Sequence, residues 1–310
     1  MTIAYLITAY NNPKHLQRLI NALSSESSAF FVHIDRKSNM DDFSGINGKN
    51  VYFCKDRIRS HWGDFSTVRA ILMLMQMATT DDRHFNYFPL LSGTDYPVQP
   101  TSYIETFFLR LPRHNRTEFI NLVQMPNEAA GKPISRLTTY THNPDDLWAA
   151  KVWRRVLVKT GFIPRERNYK AHLYGLTPYA GSMWWALSRE ACNYILNFVD
   201  ENPRIVNFLK RTHIPDESFF QTILGNSPFR SNIQSNLTYS NWEAGGAHPS
   251  LISEKDLELF KVAGPIIISD VYGTREILFA RKFSDDAEEM VAKIDQNIRE
   301  KENYADGRNR

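Results

Sequence analysis

The stretch "HIPDESFFQTIL" (residues 213–224) sets two carboxylates, Asp216 and Glu217, side by side ahead of an apolar run. Two chemistries fit that pattern. A helix starting after Pro215 would place both groups in its first turn, where free N–H groups and the helix dipole favour negative charge. Alternatively, one carboxylate acts as a general base and takes the proton of an incoming hydroxyl. His213 competes for that base role, although a histidine there fits better as a structural hydrogen-bond donor. Further along, Arg281-Lys282 and Arg275 form either a solvated basic patch or a charge sink for a departing anion. Asp95 follows a glycine-containing turn and reads either as an Asx turn before Pro97 or as a ligand contact. Aromatic faces stack on pyranose rings, which makes Trp242, in a glycine-rich loop, a sugar platform or a loop anchor. Trp184 and Trp185 alternate along an expected strand, so one should point to the core and the other to a cleft.

These groups need a frame. "TIAYLITAY", "AFFVHID", "VYFCKD" and "HFNYFPLLSGTDYPV" are apolar runs of buried-strand type. Helical runs, "PKHLQRLINALSS" and "STVRAILMLMQMATT", separate them, the second with Ser66 as its expected N-cap. Strand and helix alternate to about residue 110, which predicts an α/β fold with a doubly wound sheet. Ligands of such sheets bind at the carboxyl ends of the strands, where Asn11-Asn12, Asp35 and Ser92 to Asp95 fall. A less regular middle carries the basic, aromatic run "KVWRRVLVKTGFIPRERNYK". That run offers a site for an acidic or lipid-linked acceptor, a peripheral membrane contact or, the preferred account, a solvated helix face. A charged amphipathic helix and a frayed tail, "ADGRNR", close the chain. No linker separates independent domains, so one domain is expected. Residues 1–110 would form its nucleotide-binding half, 111–283 its acceptor and catalytic half, and 284–310 the terminal helix and tail.

Composition narrows the class. A chain of 310 residues with 42% hydrophobic content can bury a large core. Its net charge of +3 is too small to argue for nucleic acid. Cys54 and Cys192 show no metal or redox spacing, which favours a reducing compartment. No signal peptide is visible, and "AILMLMQMA" is too short to span a bilayer. A soluble, cytoplasmic protein, working at the inner face of the membrane if it meets one, is the expectation. The sequons at Asn115 and Asn236 then carry no weight. GxGxxG, GxxxxGK[ST], HExxH and GxSxG are all absent, as is any D-x-D triplet.

Six motifs in order resemble one family: "HIDRKS" (33–38), "WGDFSTVRAIL" (62–72), "LLSGTDYPV" (90–98), "GSMWWALSRE" (181–190), "PDESFFQTIL" (215–224) and "FARKF" (279–283). Together they look like the core-2/I-branching glycosyltransferases, which include β-1,6-N-acetylglucosaminyltransferases and peptide O-xylosyltransferases. The resemblance implies a GT-A-type, Rossmann-like mixed sheet with helices on both faces. It also implies an inverting transfer of GlcNAc or xylose from a UDP-sugar to a glycan or lipid-linked glycan hydroxyl. No divalent cation and no further cofactor are implied, in keeping with the missing D-x-D triplet. By motif, Glu217 falls at the family's catalytic base, Lys282 at a lysine contacting the donor diphosphate, and Asp35 at the nucleoside end. Adjacent helical residues diverge by about 100°, so Asp216 is left as a cap or as an orienting group on the acceptor side. Asp95 and Arg281 join the donor set, while Trp184, Trp185 and Trp242 join the acceptor set. An arginine that the family places beside the diphosphate has no clear counterpart. Animal members carry secretory anchors and many cysteines, so this chain looks like a bacterial or viral catalytic domain. A non-catalytic UDP-sugar or glycan-binding protein on the same fold is the competing class.

Overall fold

In chain order the strands are β1 (Ile3–Ala9), β2 (Ser28–Ile34), β3 (Val51–Phe53), β4 (Tyr87–Ser92), β5 (Asp95–Pro97), β6 (Glu118–Ile120) and β7 (Val123–Gln124). They continue with β8 (Tyr179–Ala180), β9 (Trp185–Ser188), β10 (Ile233–Gln234), β11 (Thr238–Ser240), β12 (Ile267–Asp270), β13 (Gly273–Glu276) and β14 (Phe279–Arg281). The computed structural model describes residues 2–112, 114, 116–142, 146–242, 245–246 and 248–308. Asn115 and the last two residues of the tail lie outside these.

Seven strands form one mixed sheet in the order β10-β6-β9-β4-β1-β2-β3. β3, β2, β1 and β4 run parallel, and β9 enters antiparallel between β4 and β6. The parallel half is covered on both faces, which is why its strands read as unbroken apolar runs. Alternate residues of β1 serve opposite cores. Ile3, Tyr5, Ile7 and Ala9 pack with Leu16, Leu19, Ile20 and Leu23 of the helix Pro13–Leu23. Ala4 and Leu6 pack with Val68, Ile71, Leu74 and Met75 of the helix Phe65–Thr79. The expected doubly wound α/β sheet is therefore present, and its antiparallel β9 makes it mixed.

Three local expectations need correction. The segment read as one fourth strand is two, β4 and β5, broken at Gly93. A Cβ there would lie 2.7 Å from the Ala9 Cβ, so glycine lets the chain turn tightly against β1. β5 leaves the main sheet for a smaller one, ordered β11-β14-β5. Next, the N-cap of the helix Phe65–Thr79 is Asp64 and not Ser66. The Asp64 carboxylate accepts from the Ser66 N–H at 2.8 Å, while Ser66 Oγ accepts from the His61 N–H at 2.9 Å. Finally, the terminal helix runs Glu288–Arg308, so part of the expected frayed tail is helical.

Buried polar groups mark where the sheet changes direction. Glu118 of β6 is buried and accepts from Ser188 N at 2.7 Å and Ser188 Oγ at 2.5 Å, tying β6 to the end of β9. Burial raises its carboxyl to about 7. An unfolded glutamate titrates near 4.3, so between these values the native state binds more protons than the unfolded one. The stabilising contribution of this group is therefore full in acid and fades as pH rises through that window. In Glu118→Gln the fall in melting temperature between about pH 5 and pH 8 should be shallower than in the wild type, by the equivalent of roughly 2–3 kcal/mol. Parallel pH slopes for the two proteins would contradict this.

Candidate active site

Glu217 does not sit in an α-helix. Pro215–Glu217 is a single 3-10 turn, entered through Ile214 at φ 51°, and the buried helix Phe219–Gly225 follows with no acid in its first turn. The turn is pinned by its backbone, for Glu217 C=O accepts from Gly181 N–H at 2.8 Å. Gly181 must be glycine, because a Cβ there would come within 1.8 Å of the Asn121 carbonyl oxygen. The Glu217 carboxylate keeps 25% of its exposure. Its Oε2 accepts from Lys132 Nζ at 2.6 Å and Arg136 Nη1 at 2.5 Å. Oε1 has no bonded partner among the described residues, so one oxygen anchors the group and the other faces outward.

The neighbours of this carboxylate differ in role. Asp216 is turned inward, and its Oδ1 is buried with no partner among the described residues. Burial first, and the adjacent Glu217 second, push its carboxyl up to about 7. This corrects the expectation of a cap: Asp216 makes no side-chain cap bond, and although its Oδ1 is enclosed the residue as a whole stays partly exposed. His213 N–H donates to Arg136 C=O at 2.9 Å. Its imidazole is held below the ordinary histidine value by burial and then by Arg136, opposed by Glu217. Tyr272, between β12 and β13, also approaches, since burial and next Glu217 raise its phenol.

A second charge centre lies at the carboxyl ends of the parallel strands. The antiparallel register of β14 on β5 sets Arg281 opposite Asp95. Arg281 Nε donates to Asp95 Oδ1 at 3.2 Å, and the guanidinium lies 4.0 Å over the Trp184 ring. Asp95 is 0% exposed and also accepts from the N–H and hydroxyl of Ser92. It is therefore closed off from direct contact with a donor, which corrects its place in the donor set. The terminal nitrogens of Arg281 have no protein partner among the described residues. Tyr10, at the end of β1, is close enough to act on the Arg281 charge. Lys282 comes next and makes no ion pair among the described residues; burial, then the Arg281 guanidinium, lower its ammonium. An ammonium depressed by burial and by the neighbouring guanidinium makes a place that favours an anion. Lys282 also lines a cavity of about 280 Å³ that holds three carboxylates, Glu254, Asp286 and Glu289.

The segment 181–184 joins the two centres. Gly181 touches the main chain of Glu217, and three residues later Trp184 carries Arg281, a span of at most about 11 Å of backbone. Asp35 stands at the end of β2 with both oxygens engaged, by Lys37 N–H at 2.8 Å and Ser60 N–H at 3.1 Å. Arg275 is paired with Asp270 at 2.5 Å, so its charge is already met.

The tryptophans fall differently from the expectation. Trp184 and Trp185 are both buried, one under Arg281 and the other against Phe220 at 5.7 Å, so neither offers a face to a sugar. Trp242 is exposed in its loop. Trp62, 63% exposed, lies edge-on to His213 at 6.0 Å and to His248 at 6.1 Å, beside the Glu217 turn. Sequence reasoning missed Lys132 and Arg136. Their signal was the i,i+4 spacing of two cations in "GKPISR", facing a carboxylate that needs a counter-charge. Among the described residues no three His, Cys, Asp or Glu side chains lie together in a way that could hold a metal ion.

Known proteins similar to this chain are glycosyl-transferring enzymes by name. Xylosyltransferase 2 of Rattus norvegicus is 28% identical over 250 residues, covering 77% of this chain and 26% of that protein. Xylosyltransferase 1 of Homo sapiens is 23% identical over 257 residues, covering 77% and 24%. The chain thus spans about a quarter of the length of these relatives. A crystal structure of 4-diphosphocytidyl-2C-methyl-D-erythritol synthase overlays with a TM-score of 0.32 at 9% identity, over 68% of this chain and 87% of that one, too distant to carry an argument. The model of the family described as "Core-2/I-Branching enzyme" matches residues 3–261, from β1 past Lys132, Arg136, Trp184 and Glu217 and short of Arg281. Matched over that length, the chain belongs to the core-2/I-branching enzyme family.

Proposed function

We propose that this chain is a glycosyltransferase that moves a sugar, GlcNAc or xylose, from a UDP-sugar to a hydroxyl of a glycan acceptor. The observation that carries the proposal is Glu217, anchored through Oε2 by Lys132 and Arg136 with Oε1 left open. The acceptor oxygen attacks the anomeric carbon, and its proton passes to Glu217 Oε1. The bond from that carbon to the UDP oxygen breaks, and its electron pair leaves with the diphosphate. One in-line displacement inverts the configuration. Arg281 and Lys282 meet the roughly two negative charges of the diphosphate in the place of a divalent cation. Asp95 and Trp184 fix Arg281 in that position, Asp35 borders the nucleoside end, and Trp62 and Trp242 are the exposed rings for the acceptor sugar.

One observation favours a second reading. Glu217 is held by two ion pairs, a structural role that would also suit a UDP-sugar or glycan-binding protein without turnover. Release of UDP from UDP-GlcNAc and UDP-xylose, followed with glycan acceptors in the presence of EDTA, separates the two. The enzyme releases UDP in an acceptor-dependent way at the same rate with and without the chelator. Firm UDP binding without release from any donor favours the binder, and release abolished by EDTA refutes a cation-free mechanism.

A further inference from the structure

We propose that the helix Trp148–Lys159 and its flanks form a docking surface for an anionic lipid bilayer. The helix buries none of its side chains, and its outward face is the unusual part. Trp148 is 78% exposed, Trp153 64% and Phe162, just past the helix, 82%. Leu147 and Val156 extend the same apolar strip. At 100° per residue, positions 148, 152, 156, 149 and 153 share one side of the helix, with Arg155 and Lys159 along its edge. Exposed aromatics in one contiguous patch mark an interaction surface, since single exposed apolar residues need no explanation but a cluster does.

Charge says what covers it. Residues 147–170 hold seven basic side chains and one acidic one, Glu166, in a chain whose net charge is only +3. Arg155, Lys159 and Arg165 make no ion pair among the described residues. Arg154 lies 3.6 Å over the Tyr140 ring, and Arg211 pairs with Asp146 at 2.5 Å, so the helix is fastened to the body on its inner side. A second copy of the chain is a poor occupant, because a two-fold contact would set like basic groups against each other. Aromatic rings flanked by Lys and Arg match the boundary between acyl chains and anionic headgroups. No helix among the described residues is long and apolar enough to cross a membrane, so the contact is one of lying on the surface. Arg211 sits two residues before His213, so the patch adjoins the acceptor end of the site.

The test uses the full chain and vesicles of phosphatidylglycerol mixed with phosphatidylcholine, against pure phosphatidylcholine. Co-sedimentation and a blue shift of tryptophan emission should appear with the anionic vesicles and weaken with added salt. Trp148→Ser/Trp153→Ser/Phe162→Ser and, separately, Arg155→Glu/Lys159→Glu should each lower vesicle affinity by about tenfold or more. Both variants should melt like the wild type, because every substituted side chain lies on the surface. Absence of binding to anionic vesicles, or equal binding by the variants, overturns the proposal. So does a dimer that the triple substitution converts to monomer, which would assign the patch to a second copy. None of these readouts depends on glycosyl transfer.

Discussion

Glu217→Gln should lower turnover by about 100-fold or more, with UDP affinity nearly unchanged. Glutamine keeps the shape and an oxygen for Lys132 or Arg136, but it cannot take a proton from the acceptor hydroxyl. The same substitution leaves a buried lysine and a largely buried arginine short of counter-charge, which should cost about 1–3 kcal/mol of stability. A melting curve recorded beside the assay separates the two effects. If turnover falls only in proportion to the unfolded fraction, Glu217 is a structural anchor. If turnover collapses in a protein still folded at the assay temperature, it is the base.

Arg281→Ala should have the largest effect on stability. Asp95 is fully buried, and removing its guanidinium leaves a carboxylate with only Ser92 as partner. Breaking such a pair costs about 3–5 kcal/mol, or roughly 10 °C in melting temperature for a chain of this size. The substitution also strips the Trp184 ring of its cation. A double variant, Asp95→Asn/Arg281→Met, removes both charges and fills the space, so it should recover much of the lost stability. UDP affinity should stay weak in both variants, because one of the two cations proposed to meet the diphosphate is gone in each. A single variant that melts like the wild type would contradict the buried pair. A double variant that binds UDP normally would remove Arg281 from the donor site.

The strand–helix alternation of the first third was legible because β1, β2 and β4 are buried on both faces and their apolar runs are continuous. Trp184 and Trp185 misled because β9 begins only at Trp185: period-two alternation does not extend to Trp184, and both rings pack into one buried cluster. Asp216 and Glu217 looked like helix caps because Pro215 precedes them; tertiary contacts instead close a 3-10 turn, pinned by a backbone bond from Gly181. The ion pairs were hidden by distance along the chain. Lys132 and Arg136 meet Glu217 across more than eighty residues, and Asp95 meets Arg281 across nearly two hundred. Those pairings follow from sheet register and loop packing, which local spacing does not encode. What the motifs did carry was residue type: Glu217, Arg281 and Lys282 were legible as candidates before any geometry.

The most direct measurement is a crystal structure of the chain with UDP bound. The account predicts diphosphate oxygens in salt-bridge contact with Lys282 Nζ and the free nitrogens of Arg281, with Glu217 Oε1 open to the space beyond. A divalent ion bridging the diphosphate with neither cation in contact, or UDP bound away from the carboxyl ends of β1, β2 and β4, would contradict it.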